Sequence, residues 1–368
     1  MQLAGPPQRI GNLTPWRDAL AVIAALTRPV PARSVAPVDA IGAVAADDVY
    51  VAAPLPAATQ AIRDGWAVRA ELVADAGPYA PTPLIPSPRW VEAAEDMPEG
   101  CDAVLPPDGV VTAGGTFEAM ASVGPGEGVA PAGFDATSAA PILRAGVSIG
   151  VAAAAALRIA GIDVVTIRRP RIGIAGRETD SVTAMVRAAL LRAGAEPVAL
   201  RLDDDPATSV GANALDALVT VGGTGQGRSD RTASMIAAAG QLKFHGTGIR
   251  PGETAGFGSI AERPVLLLPG RLDAALGAWL LLGLPMLKCL SGGNGEPATF
   301  ARPLSRKLTS GIGIAEVVLV ESDGEAVRPL ASGTFPLAAV AQAAGWVLVP
   351  PESEGYPNGT TVSVNLLP

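Results

Sequence analysis

From residue 172 the chain repeats one pattern: a short apolar run, a loop, then apolar residues at helical spacing. Ile172-Gly173-Ile174-Ala175 leads to a helix opened by Asp180 or Ser181 and carried through Met185, Leu190 and Leu191 to Gly194. Residues 195–200 supply a second apolar run, Ala217-Leu218-Val219-Thr220-Val221 a third and Pro264-Val265-Leu266-Leu267-Leu268 a fourth. Strand, loop and helix alternating in this order predict a parallel α/β sheet. In such sheets ligands sit in the crevice beyond the strand C-termini, where helix N-termini present positive dipole ends. Three loop mouths should therefore converge: Gly176-Arg177, the segment 222–230, and Pro269-Gly270-Arg271.

The middle mouth, Gly222-Gly223-Thr224-Gly225-Gln226-Gly227-Arg228-Ser229-Asp230, is the most informative stretch. Its four glycines within six positions remove side chains that would hold backbone N–H groups away from a ligand, and Ser229 or Asp230 is expected to cap the following helix. Such a turn can hold an anion. The spacing from Gly222 to Ser229 also fits a nucleotide phosphate loop, but Arg228 stands where that chemistry needs lysine, and no second acidic strand supplies a metal. A glycine-rich connection without a ligand is the plain alternative.

The 368 residues have room for several domains, and a formal net charge of -8 argues against nucleic acid or an anionic membrane as the main partner. Two cysteines, Cys101 and Cys289, lack metal-site spacing, and a single histidine, His245, excludes most imidazole-based chemistry; all three read as packed residues. The first residues lack a basic region followed by an apolar core, and the run from Ala274 to Leu284 is too short to span a bilayer, so a cytoplasmic protein is expected.

Ahead of the α/β region, Thr14-Pro15 reads as the cap and first position of a helix that Arg28-Pro29 stops, followed by a proline-rich linker. Asp64-Gly65 signals a turn before a short strand, residues 77–150 form a Pro- and Gly-rich β module, and an alanine-rich helix runs from Val151 to Ala160. After Ser291-Gly292-Gly293-Asn294-Gly295, short strands around residues 316–320, 345–349 and 361–364, with a turn at Asp323-Gly324, predict a small C-terminal β domain.

Six segments stand in order: Ala61-Ile62-Arg63-Asp64-Gly65-Trp66-Ala67, Pro98-Glu99-Gly100-Cys101-Asp102-Ala103-Val104, Asp180-Ser181-Val182, the glycine loop, Pro251-Gly252-Glu253-Thr254, and Leu268-Pro269-Gly270-Arg271-Leu272. Together they resemble the molybdopterin molybdenumtransferase family, the MoeA-like molybdenum insertases whose relatives include the gephyrin E domain. The resemblance implies an N-terminal helical and linker domain (residues 1–50 and 146–169) and a β-rich inserted domain (51–145) that carries the Asp-Gly motif. A central α/β molybdopterin-binding domain (170–292) and a small C-terminal β-barrel domain (293–368) complete the expected architecture.

It also implies Asp64 as a catalytic residue. The implied ligand-binding set is Gly222, Gly223, Thr224, Gly225, Gly227, Arg228, Ser229, Asp230, Pro251, Gly252, Pro269, Gly270, Arg271, Asp180 and Ser181. The implied ligands are molybdopterin or its adenylylated form, and molybdate. A cytoplasmic homodimer is implied, with other cofactor-synthesis proteins or a molybdoenzyme as further partners.

The sequence departs from the family pattern in places. Its T-G-D-E-L segment is missing before Arg177, Arg228 replaces a loop aspartate, and Glu253 replaces the lysine of P-G-K-P. Arginines at 177, 228 and 271 favour an oxyanion or phosphate and disfavour a divalent cation, so a place for Mg2+ is doubtful. Two readings follow: an insertase exchanging AMP for molybdate on the pterin dithiolene, and a molybdopterin-binding or carrier protein that keeps the pocket without the metal-assisted step.

Overall fold

The computed structural model describes residues 8–201, 206–212, 214–296 and 298–367, which divide into two compact units. The smaller unit comprises Asp48–Arg144 and Ala155–Asp163. It is built from short antiparallel pieces: Gly65–Val68 lies between Arg89–Val91 and Ala103–Leu105, and Thr116–Ala119 between Thr82–Leu84 and Val110–Ala113. Gly65 is required where it stands, because a Cβ there would lie 2.0 Å from the carbonyl oxygen of Leu105 on the neighbouring strand. Val68, Val73, Leu84, Leu105 and Ala119 form its core, and Trp66 packs edge-on against Trp90, ring centroids 5.2 Å apart.

The larger unit holds the remaining described residues, among them the α/β sheet. Four parallel strands run in the order Glu196–Leu200, Arg171–Ala175, Ala217–Val221 and Arg263–Leu268, matching the four apolar runs. Two antiparallel strands, Gly256–Ile260 and Gln241–His245, extend this sheet beyond the parallel set. The first joins the sheet through a two-residue turn in which Ala261 and Glu262 both have positive φ, 46° and 64°. That is the twist a tight hairpin needs, here carried by residues that do not advertise it.

Helix Ser181–Arg192 opens as expected: Asp180 occupies the cap position and its carboxylate accepts from the Thr183 N–H at 3.0 Å. The N-terminal helix starts later than the sequence indicates. It runs Trp16–Leu26 with Pro15 at the cap position, because Thr14 is drawn into a parallel bridge with Thr247. The proline-rich linker also contains a strand, Arg33–Val35, paired with Val165–Arg168.

The apolar run after residue 272 becomes a single helical stretch, Leu272–Ser291, of 20 residues. By length and composition it could cross a membrane, so shortness is the wrong reason to set that aside. Its apolarity is accounted for by packing, since 72% of its most apolar window is buried inside the protein. Residues Trp279–Gly283 are π-helical just before Pro285. Proline has no N–H to offer the Leu281 carbonyl, and the indole of Trp16 donates to it instead at 3.4 Å.

The C-terminal strands Ala315–Asp323, Gly345–Val349, Thr361–Asn365 and Thr299–Pro303 form a second six-stranded sheet, with Ala326–Ser332 on Ala315–Asp323. Its far edge is Ile249–Arg250, contributed from within the α/β segment and parallel to Ala315–Asp323. This crossover carries the loop at Pro251 toward the end of the central sheet.

Candidate functional site

Every residue of the strand Ala217–Val221 is buried, which fixes where the glycine loop begins. Gly222 donates its N–H to the Leu268 carbonyl at 2.9 Å, and Gly222 and Gly223 have φ of 90° and 70°, a region unfavourable to other residues. A Cβ on Gly223 would lie 2.3 Å from the Thr232 hydroxyl oxygen, which itself donates to the Gly222 carbonyl at 2.8 Å.

Neither Ser229 nor Asp230 caps the next helix. Asp230 turns back and accepts the Gly227 N–H at 2.7 Å, so its carboxylate closes the loop. Helix Thr232–Ala239 starts from Arg231 with no side-chain capping bond. Arg228 and Ser229 are exposed, and among the described residues Arg228 has no side-chain partner.

The loop is held from behind by side chains far away in sequence. Gln8 Nε2 donates to the carbonyls of Gly223 at 2.8 Å and Gly225 at 2.7 Å. His245 Nε2 lies 2.7 Å from the Thr224 carbonyl and, facing an acceptor, carries the proton. The Thr224 hydroxyl, in a residue 1% exposed, pairs with that of Thr254 at 3.2 Å. The N–H groups of Thr224, Gly225 and Gln226 have no partner among the described residues.

In front of the loop is a cleft of about 530 Å³. Gly223, Thr224, Gly225 and Asp230 form one wall, and Pro251, Glu253 and Thr254 a second. Pro269, Gly270, Arg271, Asp273 and Ala274 form a third, and Gly333-Thr334 at the end of the Ala326–Ser332 strand complete it. Gly222 and Gly270 are close enough that a Cβ on Gly270 would lie 3.3 Å from the Gly222 Cα. Gly252, at φ 129°, sits behind its wall, where a Cβ would meet the Ala274 carbonyl at 3.1 Å.

The charges in this cleft differ from the sequence expectation. Arg271 is held by Asp273 through two bonds, Nε to Oδ1 at 3.2 Å and an Nη to Oδ2 at 2.6 Å. Asp273 is buried, so Arg271 enters the cleft as half of an ion pair. Glu253 is paired with Arg250 at 3.0 Å and accepts the Gly252 N–H at 3.1 Å. Asp230 is engaged by Gly227. Among the described residues no three His, Cys, Asp or Glu side chains are grouped to hold a metal ion.

The first mouth does not join the other two. Gly176, Arg177, Glu178, Thr179, Thr183 and Arg187 line a separate depression of about 700 Å³ against the edge strand Glu196–Leu200. The cause is packing: Gly176 is wedged between Thr183 and Val221, whose Oγ1 and Cβ would lie 2.4 and 3.3 Å from an added Cβ. The short loop that follows it reaches the neighbouring strand and no further. Asp180 is occupied in capping its helix and Ser181 is exposed at its start; neither lines the cleft. Arg228, Ser229, Gly222 and Gly227 shape the loop without lining the cleft either.

Asp64 lies in the smaller unit, exposed at the start of the Gly65–Val68 strand, with Oδ1 accepting the Ala93 N–H at 2.8 Å. Its second carboxylate oxygen has no partner among the described residues. Burial raises the titration of both thiols, Cys101 and Cys289, which keeps them protonated and agrees with a packing role. Sequence reasoning missed Gln8, Asp273 and Gly333-Thr334. Asp273 alone carried a signal, as an acidic residue in the first turn of a helix beside Arg271.

Two family models match in succession: the MoeA N-terminal region (domain I and II) over residues 14–161 and a probable molybdopterin binding domain over residues 158–289. Molybdopterin molybdenumtransferase 1 of Mycobacterium tuberculosis is 25% identical over 418 aligned positions, covering 94% of this chain and 97% of that protein. A putative molybdopterin biosynthesis protein of Methanocaldococcus jannaschii is 31% identical over 152 residues, a match spanning 41% of this chain and 36% of that protein's length. The crystal structure of the molybdopterin biosynthesis MoeA protein from Pyrococcus horikoshii shares the fold, with a TM-score of 0.75 at 22% identity over 97% of this chain and 100% of that one. The glycine loop and the Pro251 and Pro269 turns thus fall where a molybdopterin-binding model matches, and the chain belongs to the MoeA-like family of molybdopterin biosynthesis proteins.

Proposed function

We propose that this protein acts in molybdenum-cofactor synthesis as a molybdopterin molybdenumtransferase, binding molybdopterin or its adenylylated form in the cleft between the glycine loop and the Pro251 and Pro269 turns. One observation carries the reading: three backbone turns from separate parts of the chain meet around a cleft whose glycine loop has N–H groups unpartnered among the described residues. Such donors suit the phosphate oxygens of the ligand and need no rearrangement to accept them.

In this reading Thr224, Gly225 and the turns at Pro251 and Pro269 orient the pterin phosphate. Molybdate, an anionic substrate, is admitted by backbone donors and by the exposed edge of Arg271. Asp64, with one carboxylate oxygen unpartnered among the described residues, fits the role of orienting the reacting group, supplied to the cleft of a second subunit in a homodimer. The cleft carboxylates Asp230, Glu253 and Asp273 are each already bound to a donor of the protein, a donor set that does not fit Mg2+, and no step is assigned to a divalent cation.

The test incubates the full chain with adenylylated molybdopterin and molybdate and follows AMP release. Release that stops in D64A, with pterin still bound by the variant, is the expected result. Pterin binding without release identifies a carrier, and absence of both overturns the assignment.

A further inference from the structure

The glycine loop is held in position by residues that lie outside it and outside the cleft. Gln8 precedes the first helix, and its single amide nitrogen gathers the carbonyls of Gly223 and Gly225, at 2.8 and 2.7 Å. The segment that follows is itself anchored: Thr14 donates its N–H to the Gly246 carbonyl at 3.0 Å and accepts from the Gly248 N–H at 2.7 Å. Ile10 packs so closely on Gly246 that a Cβ there would lie 2.4 Å from it. His245, beside this anchor, holds the intervening Thr224 carbonyl. Three consecutive carbonyls of a loop rich in glycine are thereby fixed by two side chains.

The consequence follows from the planarity of the peptide unit. In a trans peptide the carbonyl of one residue and the N–H of the next point in opposite directions. With the Gly223 and Gly225 carbonyls drawn to Gln8, the N–H groups of Thr224 and Gln226 are turned to the opposite side, and both are unpartnered among the described residues. Glycine peptides rotate at little cost, so without the clasp these units would sample orientations in which a carbonyl, not an N–H, meets the ligand. A carbonyl presented to an anion is repulsive.

We propose that Gln8 and His245 are positioning residues that lock the 223–225 peptide units with their N–H groups oriented for an anionic ligand. This rests on the binding reading given above. Gln8 acts as a two-acceptor donor and His245 as a one-acceptor donor; neither touches the ligand.

The test uses the full chain and variants that separate donor capacity from shape. Q8E keeps the shape and loses the donor, Q8A loses both, H245F loses the donor, and H245Q restores one at the position of Nε2. Amide hydrogen exchange of the ligand-free protein is read first. The proposal expects exchange at the two bonded amides that flank the clasped units, Gly222 and Gly227, to rise about tenfold in Q8E, Q8A and H245F, to return toward wild type in H245Q, and to stay unchanged in strands Ala217–Val221 and Arg263–Leu268. Affinity for molybdopterin should fall in the same order, by about tenfold for each donor lost, while D64A leaves loop exchange untouched. Wild-type exchange in Q8E would overturn the clasp and make Gln8 a packing residue. Wild-type protein that binds no molybdopterin would refute the binding reading, and the exchange data would still decide whether the clasp exists.

Discussion

The two loop mouths at the carboxyl ends of adjacent strands are built on opposite principles. At the end of Ala217–Val221 and Arg263–Leu268 the walls are backbone: glycines that admit no Cβ, three carbonyls held by Gln8 and His245, N–H groups without a partner among the described residues, and an arginine already neutralised by Asp273. At the end of Arg171–Ala175 the depression is lined by long side chains, Arg177 and Arg187, exposed and without an ion pair among the described residues. The first selects by geometry. At Arg177 and Arg187 the second offers solvated charge, which salt screens.

The largest effect expected from breaking this contrast is at Gly223. Gly223→Val forces a branched residue into the left-handed region and onto Thr232. It should lower unfolding stability by about 2–4 kcal/mol in denaturant titration and abolish ligand binding by calorimetry. A glycine loop that tolerates valine would not be the rigid cradle described.

Asp273→Asn makes the glycine-loop mouth more like the Arg177 mouth by freeing Arg271. Loss of a charge-assisted pair at a buried carboxylate should cost about 1–3 kcal/mol of stability, read by the same titration. Because Arg271 is 73% exposed on its side chain, the gain in affinity for an anionic ligand should be only about fivefold, and should fade as salt is raised. Asp230→Ala removes the bond to Gly227 and should cost about 1 kcal/mol, with faster exchange at the Gly227 amide. The smallest effect belongs to the other mouth: Arg177→Ala should change molybdopterin affinity by less than about twofold. A tenfold loss there would mean that one ligand spans both mouths.

Much of this was legible in the sequence, and the exceptions have physical causes. The four parallel strands were read correctly because runs such as Ala217-Leu218-Val219-Thr220-Val221 are buried at every position and carry their own signal. The antiparallel extension was not, because its hairpin turns on Ala261-Glu262, residues that take positive φ only when the surrounding sheet demands it. The glycine loop was located from composition. Its orientation depends on Gln8, more than 200 residues away in sequence, and no local pattern marks such a partner.

Arginine positions likewise gave a misleading charge map. Residue type places a cation near a loop, but whether Arg271 is free depends on the rotamer that carries it to Asp273. Asp230 was placed as a helix cap from its spacing, and the loop N–H of Gly227 claimed it first. Two successive domain matches, over residues 14–161 and 158–289, carried the family even where individual motif residues had changed.

The most direct measurement is isothermal titration of molybdopterin into the wild-type chain, Gly223→Val and Arg177→Ala in parallel. Saturable binding to the wild type and to Arg177→Ala, with none to Gly223→Val, is the result the backbone-built cleft requires. Binding that survives Gly223→Val, or is lost in Arg177→Ala, would contradict it.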